Sequence, residues 1–311
     1  MKPRLVTLTL NPALDIACSA DVVQPTHKIR TSDEHLDPGG GGVNVARVLH
    51  ALNADTLAVM MAGGVTGALI EERLDKDGVP RVTVPIHGST RICLTVYERS
   101  TGLEYRFVPE GPSVNRHDWQ AMLHLLEEID CNWLIASGSL EHGMPEDIYA
   151  RVARAAHRRG QRVVLDCAGP ALGAALGTGL EMIKPSLGEL RTLVGHDLPD
   201  NRSQEEAAAA LVRQGAARLV AVSLGEHGAF VASDEAVVRM AALPCKVLSA
   251  VGAGDSFVAA MSLALARGAP LEDALRWGVA AGTAAVLCAG TARLRRRDVE
   301  SQYERLCAAG H

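Results

Sequence analysis

The sequence predicts an α/β protein with a mostly parallel central sheet covered by helices and a small antiparallel β appendage. Three observations lead there. Runs rich in β-formers alternate with runs of helical periodicity along most of the 311 residues, the pattern of parallel strands joined by crossover helices. Aromatic residues make up only 3 % against 48 % apolar residues overall, so the core is built from Ala, Val and Leu, which suits helices on a buried sheet. Between Val79 and Phe107 the rhythm changes to short alternating runs with Gly-Ser and Thr-Gly turns, which reads as antiparallel pairing.

The first predicted strand, Leu5–Leu10, ends at the turn signal Asn11-Pro12 and leads into a loop carrying Asp15. Gly39–Gly42 then open a helix in which Val43, Val45, Ala46, Val48, Leu49 and Leu52 recur at helical spacing, with Pro38 rather than a strand before them. A strand at Thr56–Met61 and a helix at Ala68–Asp77 complete one strand–helix–strand–helix unit. Val82–Val84, Arg91–Tyr97 and Glu104–Val108 form the appendage. The α/β rhythm returns with helix Asp118–Ile129, strand Trp133–Ala136, helix Pro145–Arg159 and strand Arg162–Asp166. Strand Met182-Ile183 precedes helix Leu187–Val194, and helix Gln204–Gln214 precedes strand Leu219–Ser223. Short runs at Gly228–Ser233 and Ala236–Met240 follow, and Asp255–Arg267 and Leu271–Ala289 are helical. No internal repeat interrupts the chain, so it reads as one large domain.

Composition excludes several function classes. A net charge of −5 gives no electrostatic reason to expect a nucleic-acid partner. The uncharged stretches Leu57–Ile70 and Trp277–Ala292 are too short, or too rich in Gly and Thr, to span a bilayer, and they read as buried sheet and helix. Seven scattered cysteines without a CxxC pair, and a start without targeting character, lead us to expect reduced thiols in a cytoplasm. The basic run Arg293, Arg295, Arg296 and Arg297 reads as a solvated, helix-flanking cluster.

Two segments carry chemistry. Gly252-Ala-Gly-Asp255 stands just before a long apolar helix, where glycines let backbone amides approach an anion and the helix dipole adds positive potential. A carboxylate there can take a proton from an attacking hydroxyl. An Asp at such a place also caps helices, and spacing alone leaves the two readings even. The second segment is Gly39–Gly42 with Asn44. It lacks the last glycine of a dinucleotide-binding fingerprint, and no GxxxxGK[ST] loop occurs in the chain. Four glycines opening a helix imply close backbone contact with something, although a flexible turn is the simpler alternative.

Pro38-Gly-Gly-Gly-Gly-Val-Asn-Val-Ala-Arg47 together with Val251-Gly-Ala-Gly-Asp-Ser256 resembles the two signatures of the PfkB (ribokinase-like) carbohydrate kinase family. Thr7–Asp15, Gly138-Ser-Leu140, Lys184-Pro185, Glu189 and Ser223-Leu-Gly225 fall in the expected order, so the resemblance covers essentially the whole chain. Within the family, the all-glycine tract followed by Val-Asn-Val-Ala-Arg, with Glu104-Tyr-Arg-Phe-Val108, is most similar to the minor-type 6-phosphofructokinases.

The resemblance implies a ribokinase-like three-layer sandwich over 1–311 whose β lid, inserted in the body, is drawn from about 12–36 and 85–110. It implies an ATP-dependent enzyme using Mg²⁺ that converts fructose 6-phosphate to fructose 1,6-bisphosphate. The alternatives are a 1-phosphofructokinase, a tagatose-6-phosphate kinase, or a non-catalytic sugar- or nucleotide-binding regulator. Asp255 is then the base, with amides of Gly252, Ala253 and Gly254 around the transferring group. Asp15, Gly40, Gly41, Asn44 and Ser139 are placed at the sugar, and Arg91, Lys28 and Arg30 at its phosphate. Lys184, Ser186, Ser223 and Gly225 fall on the nucleotide side with Gly252 and Gly254, and Glu189 organises Mg²⁺ indirectly. A homodimer through the lid is expected, in which the Asp21–Asp37 segment reaches a neighbour's site. Three departures stand out. Ser186 replaces the usual Asn, Glu141-His142 replaces a Pro-Pro pair, and Cys288 stands where an Asn is common near a loop that binds monovalent cations, which leaves K⁺ activation open.

Overall fold

The computed structural model describes residues 4–288 and 294–310. In chain order the strands are β1 (Arg4–Thr9), β2 (Ala13–Ala20), β3 (Thr31–Gly39), β4 (Asp55–Ala62), β5 (Arg81–Pro85), β6 (Arg91–Glu98) and β7 (Glu104–Phe107). They continue with β8 (Trp133–Ser137), β9 (Arg162–Asp166), β10 (Met182–Ile183), β11 (Leu219–Ser223), β12 (Ala229–Ala232) and β13 (Val237–Met240). The helices are α1 (Gly41–Ala51), α2 (Gly64–Lys76), α3 (Arg116–Glu128), α4 (Ile148–Arg158) and α5 (Pro170–Ala175). After them come α6 (Leu187–Val194), α7 (Asn201–Arg213), α8 (Ala253–Ala266), α9 (Leu271–Val286) and α10 (Arg296–Ala308).

Nine strands form one sheet in the order β13-β12-β11-β10-β9-β8-β1-β4-β5. Every pairing from β5 through β11 is parallel, and β12 and β13 close one edge as an antiparallel hairpin. Strand alternation sends successive side chains to opposite faces. Val6, Leu8, Leu134, Val163 and Leu165 pack on one face with Met122, Tyr149 and Leu211 of α3, α4 and α7. Leu5, Trp133, Ile135 and Val164 pack on the other with Val45, Met261 and Leu275 of α1, α8 and α9. The result is a helix–sheet–helix sandwich. The strands read as continuous apolar runs because both faces are covered.

The second sheet has the order β3-β2-β6-β7. Its outer pairs are antiparallel, as the turn-separated alternation predicts, and its central β2–β6 pair is parallel. Parallel pairing follows from connectivity, since β2 and β6 reach this sheet from separate excursions of the chain.

Four local expectations change. Val82–Val84 belongs to β5, which pairs with β4 in the main sheet and not with the appendage. Asp15 lies on β2 rather than in a loop, and the glycine tract is preceded by β3, so Pro38 is a strand residue after all. β3 is an edge strand, the place in a sheet where a missing N–H is tolerated. Helices α5 and α10 were not anticipated. Arg295 and Arg296 stand at the start of α10, whereas Arg293 and the end of the stretch read as helical to Ala289 lie outside the described residues. Boundaries elsewhere differ by a few residues, as at α2, which starts at Gly64 rather than Ala68.

The carboxyl ends of β1, β8, β9, β10 and β11 all run out on one side of the sheet. That is where open parallel sheets carry ligand sites.

Candidate active site

Two helices begin at this edge, each behind a glycine. Gly40 is the N-cap of α1 with φ 99°, and Gly252 is the N-cap of α8 with φ 76°. Both values lie in the left-handed region that glycine adopts without cost. Neither helix has a side-chain cap, so the free N–H groups of the first turns remain available to an anion. The other tract glycines are there for closeness. A Cβ on Gly39 would collide with the Asp15 carboxylate, one on Gly41 with Ser137 Oγ, and one on Gly42 with the Leu8 carbonyl.

Asp255 occupies the first turn of α8 and does not cap it. Its Oδ2 accepts a 2.9 Å hydrogen bond from Asn44 Nδ2 of α1, and Ser137 Oγ at the end of β8 approaches its Oδ1 at 3.5 Å. Burial pushes its pKa up to about 7, the Asp166 charge adds to that, and the Asn44 bond and Lys184 oppose it. A carboxylate poised there exchanges protons readily at neutral pH.

Asp255 opens onto a cavity of about 580 Å³ whose lining includes Asp15, Gly40, Gly41, Asn44, Ser139 and Gly252. Arg91 and Arg106 line the same cavity. Asp15 and Cys93 are paired residues on β2 and β6, and Thr95 and Arg106 are paired on β6 and β7, so pleating turns Asp15, Arg91, Cys93 and Arg106 to one face. Burial raises the Asp15 pKa to about 6, against the pull of Arg106 and Arg91. Arg91 is braced by its Nη1 on the Pro109 carbonyl (2.9 Å) and its Nη2 on the Asn11 carbonyl (3.0 Å).

At the other chemical end lies Lys184, only 6 % exposed, with Nζ 3.3 Å from Asp166 Oδ1. Burial alone would lower its pKa, but the Asp166 and Glu189 charges outweigh burial and hold it above its ordinary value. A Cβ built on Gly254 would stand 3.7 Å from Lys184 Nζ, which places the ammonium beside the first turn of α8. Ser186 is the N-cap of α6. Its hydroxyl accepts from the Glu189 N–H at 3.3 Å, and Glu189 Oε2 accepts from the Ser186 N–H at 2.7 Å. The short Ser side chain is thus used within the helix cap. Ser186 also bridges to Ser223 at the end of β11, and Gly225 follows in a turn of 3-10 helix with φ 61°.

Of the anticipated residues, Asp15, Gly40, Gly41, Asn44, Arg91, Ser139, Glu189, Gly252 and Asp255 line one cleft, whereas Lys184, Ser186, Ser223 and Gly225 lie outside its lining. Lys28 and Arg30 lie outside it too, both exposed between β2 and β3. Three residues of the cavity lining were missed. Asp166 ends β9, and a polar residue closing an apolar strand is the signal that could have found it. Ser137 ends β8 in the same way. Arg106 was visible as a cation in an alternating strand, and only its pairing across β6 reveals which way it faces.

The pattern of the pfkB family of carbohydrate kinases matches residues 8–296. The chain belongs to that family. Among curated pfkB relatives, the ATP-dependent 6-phosphofructokinase isozyme 2 of Mycobacterium tuberculosis is 43 % identical over 305 residues, covering 97 % of this chain and 90 % of the relative. Phosphofructokinase-2 from Escherichia coli, solved in complex with fructose-6-phosphate, superposes with a TM-score of 0.93 at 37 % identity, over 98 % of this chain and 99 % of that one. The same enzyme solved in complex with potassium gives 0.94 at 38 % identity over the same shares of the two chains.

Proposed function

We propose that this pfkB-family kinase transfers the γ-phosphoryl group of MgATP to the 1-hydroxyl of fructose 6-phosphate. The observation that carries the reading is one cavity holding Asp255, at the start of α8, together with two arginines on the second sheet. Asp255 accepts the proton of the acceptor hydroxyl, and that oxygen forms its bond to phosphorus as the bond to the β-phosphate bridging oxygen breaks. The N–H groups around Gly252–Gly254 face the charge that develops on the transferring group. Asp15, Asn44, Ser139 and the Gly40 and Gly41 backbone orient the sugar. Arg91 and Arg106 meet its 6-phosphate, for which guanidinium geometry is suited.

Lys184 meets the nucleotide phosphates, with Ser223, Gly225 and Ser186 along that side. Mg²⁺ is held chiefly by the nucleotide and water, with Asp166 and Glu189 as outer carboxylates. Magnesium, when bound, neutralises charge on the transferring phosphates. Cys288 Sγ donates to the Ala284 carbonyl at 3.6 Å, and the chain beyond it, up to Arg293, lies outside the described residues. Comparing turnover in K⁺ and Na⁺ tests potassium activation.

The second sheet acts as the lid. Ile92 and Phe107 expose more than two fifths of their surface on its outer face, which supports a dimer built on that sheet. The exposed Lys28 and Arg30 would then serve the partner's sugar site. No helix is long and apolar enough to cross a membrane among the described residues. All seven cysteines are free thiols, which suits a reducing cytoplasm.

A coupled assay with fructose 6-phosphate, fructose 1-phosphate and tagatose 6-phosphate tests the assignment. Fructose 6-phosphate is expected to give the highest kcat/KM. Failure to turn it over would remove the specific substrate, and failure with all three would remove the phosphosugar class.

A further inference from the structure

Glu141 stands on the loop after β8, and its environment is unusual. The side chain is 3 % exposed, and neither carboxylate oxygen has a hydrogen-bond partner among the described residues. Buried carboxylates are normally paired or hydrogen-bonded, because desolvation disfavours the charged form. Arg91 Nε is the matching case: a buried donor without an acceptor among the described residues, on a guanidinium whose other two nitrogens are held by carbonyls. Asn11 ties the two groups together. Its backbone carbonyl accepts from Arg91 Nη2 at 3.0 Å, and its side-chain Nδ2 donates to the carbonyl of Leu140, the residue before Glu141, at 3.2 Å.

The charged groups around Glu141 are few. Arg91 faces it from β6 and Asp118 from α3. His142 is next to it on its own loop, exposed and 3.3 Å from Ser113 Oγ, and His87 lies 3.9 Å from Asp118. Burial pushes the Glu141 pKa up to about 8, with Arg91 pulling it down and Asp118 pushing it further up.

We propose that Glu141 is a positioning residue for Arg91, and that its ionisation sets how strongly Arg91 attracts the phosphate group of the acceptor. The inference rests on the reading above that Arg91 meets that phosphate. An ionised Glu141 competes with the phosphate for one guanidinium, whereas a protonated Glu141 leaves the guanidinium to the phosphate. Linkage is reciprocal, so binding the phosphorylated acceptor draws a proton onto Glu141.

Steady-state kinetics with fructose 6-phosphate at pH 7 and pH 9, on the intact protein and on Glu141→Gln, test this. The wild-type KM is expected to rise several-fold between the two, and the variant's KM to stay nearly level. A Glu141 with only a structural role would change both proteins alike, and an equal rise in the variant overturns the proposal. A second measurement needs no variant. Calorimetric titration of wild type with fructose 6-phosphate at pH 8, in two buffers of different ionisation enthalpy, should show net proton uptake, and zero uptake overturns the proposal. Turnover of fructose 6-phosphate with neither effect removes the role of Glu141 alone. No turnover or binding of fructose 6-phosphate removes the reading of the site, and this inference with it.

Discussion

Asn44 Nδ2 donates to Asp255 Oδ2 at 2.9 Å across 211 residues of sequence, joining the first turns of α1 and α8. The bond favours the ionised carboxylate, while burial and the Asp166 charge oppose it, and the balance leaves Asp255 near neutrality. A base must be ionised to act. The plot of kcat/KM against pH should therefore rise through a limb near pH 7, and Asn44→Ala should move that limb upward by removing an interaction that stabilises the charge. Asp255→Asn should lower kcat by about 10²–10⁴-fold, the range general-base groups supply. An unmoved limb in Asn44→Ala would separate the bond from the base's ionisation.

Arg91 and Arg106 line the same cavity but are held differently. Arg91 is anchored to two carbonyls, whereas among the described residues no side-chain hydrogen bond is seen for the exposed Arg106. Arg106→Ala should raise KM for the phosphorylated acceptor by about 10-fold, the size of one charge-assisted contact, with little effect on melting temperature. Arg91→Ala should raise KM and lower the melting temperature together, since the Pro109 and Asn11 carbonyls lose their donor. Kinetics and a melting curve on both variants distinguish the two cases.

How much of this was legible in the sequence follows from what each signal depends on. Gly39–Asn44 and Gly252–Asp255 were readable because they are local: a glycine helix start needs glycine wherever the rest of the chain lies. The parallel sheet was readable from periodicity. The placement of β5 was not, because Val82–Val84 looks the same beside β4 as it would in the second sheet, and only pairing decides. β3 was hidden because its exposed edge carries no apolar alternation, Thr31–His35 being solvent-facing throughout. Asp166 and Ser137 become site residues only through the shared edge of β8 and β9, a long-range property. Whether Asp255 caps α8 was undecidable from spacing, and Gly252 in the cap position decides it.

Asp166 lines the cavity with Lys184 3.3 Å behind it, and Lys184 is the principal cation facing both Asp166 and Asp255. Lys184→Met should leave Asp166 as an uncompensated buried charge, which costs about 3–5 kcal/mol when one partner of a buried pair is removed. The same change should raise KM for ATP and shift the Asp255 limb to higher pH. Chemical denaturation together with the pH profile of the variant checks both. A stable variant with an unshifted limb would show that Asp166 is already neutral.

Glu98 and Glu141 are both 3 % exposed, yet their surroundings drive them in opposite directions. Glu98 accepts from the Val23 N–H (2.9 Å), Ser100 Oγ (3.0 Å), Thr101 Oγ1 (2.7 Å) and Tyr105 OH (3.0 Å). Led by the Val23 bond, these donors hold its pKa down to about 2, against burial. A depressed carboxylate contributes stability above its unfolded value, near 4.5, and loses it as pH falls toward 2. Because Glu98 pins Val23, acid should release the β2–β3 connection that carries Lys28 and Arg30. Hydrogen exchange at the Val23 amide should therefore lose protection between pH 4.5 and 2, relative to amides of β1, and Glu98→Gln should show the weaker protection already at pH 7. Glu141→Gln should behave in the contrary sense. It removes an unsatisfied buried charge and should raise the melting temperature above pH 8, where the wild-type carboxylate is ionised, while changing little at pH 5, where it is protonated.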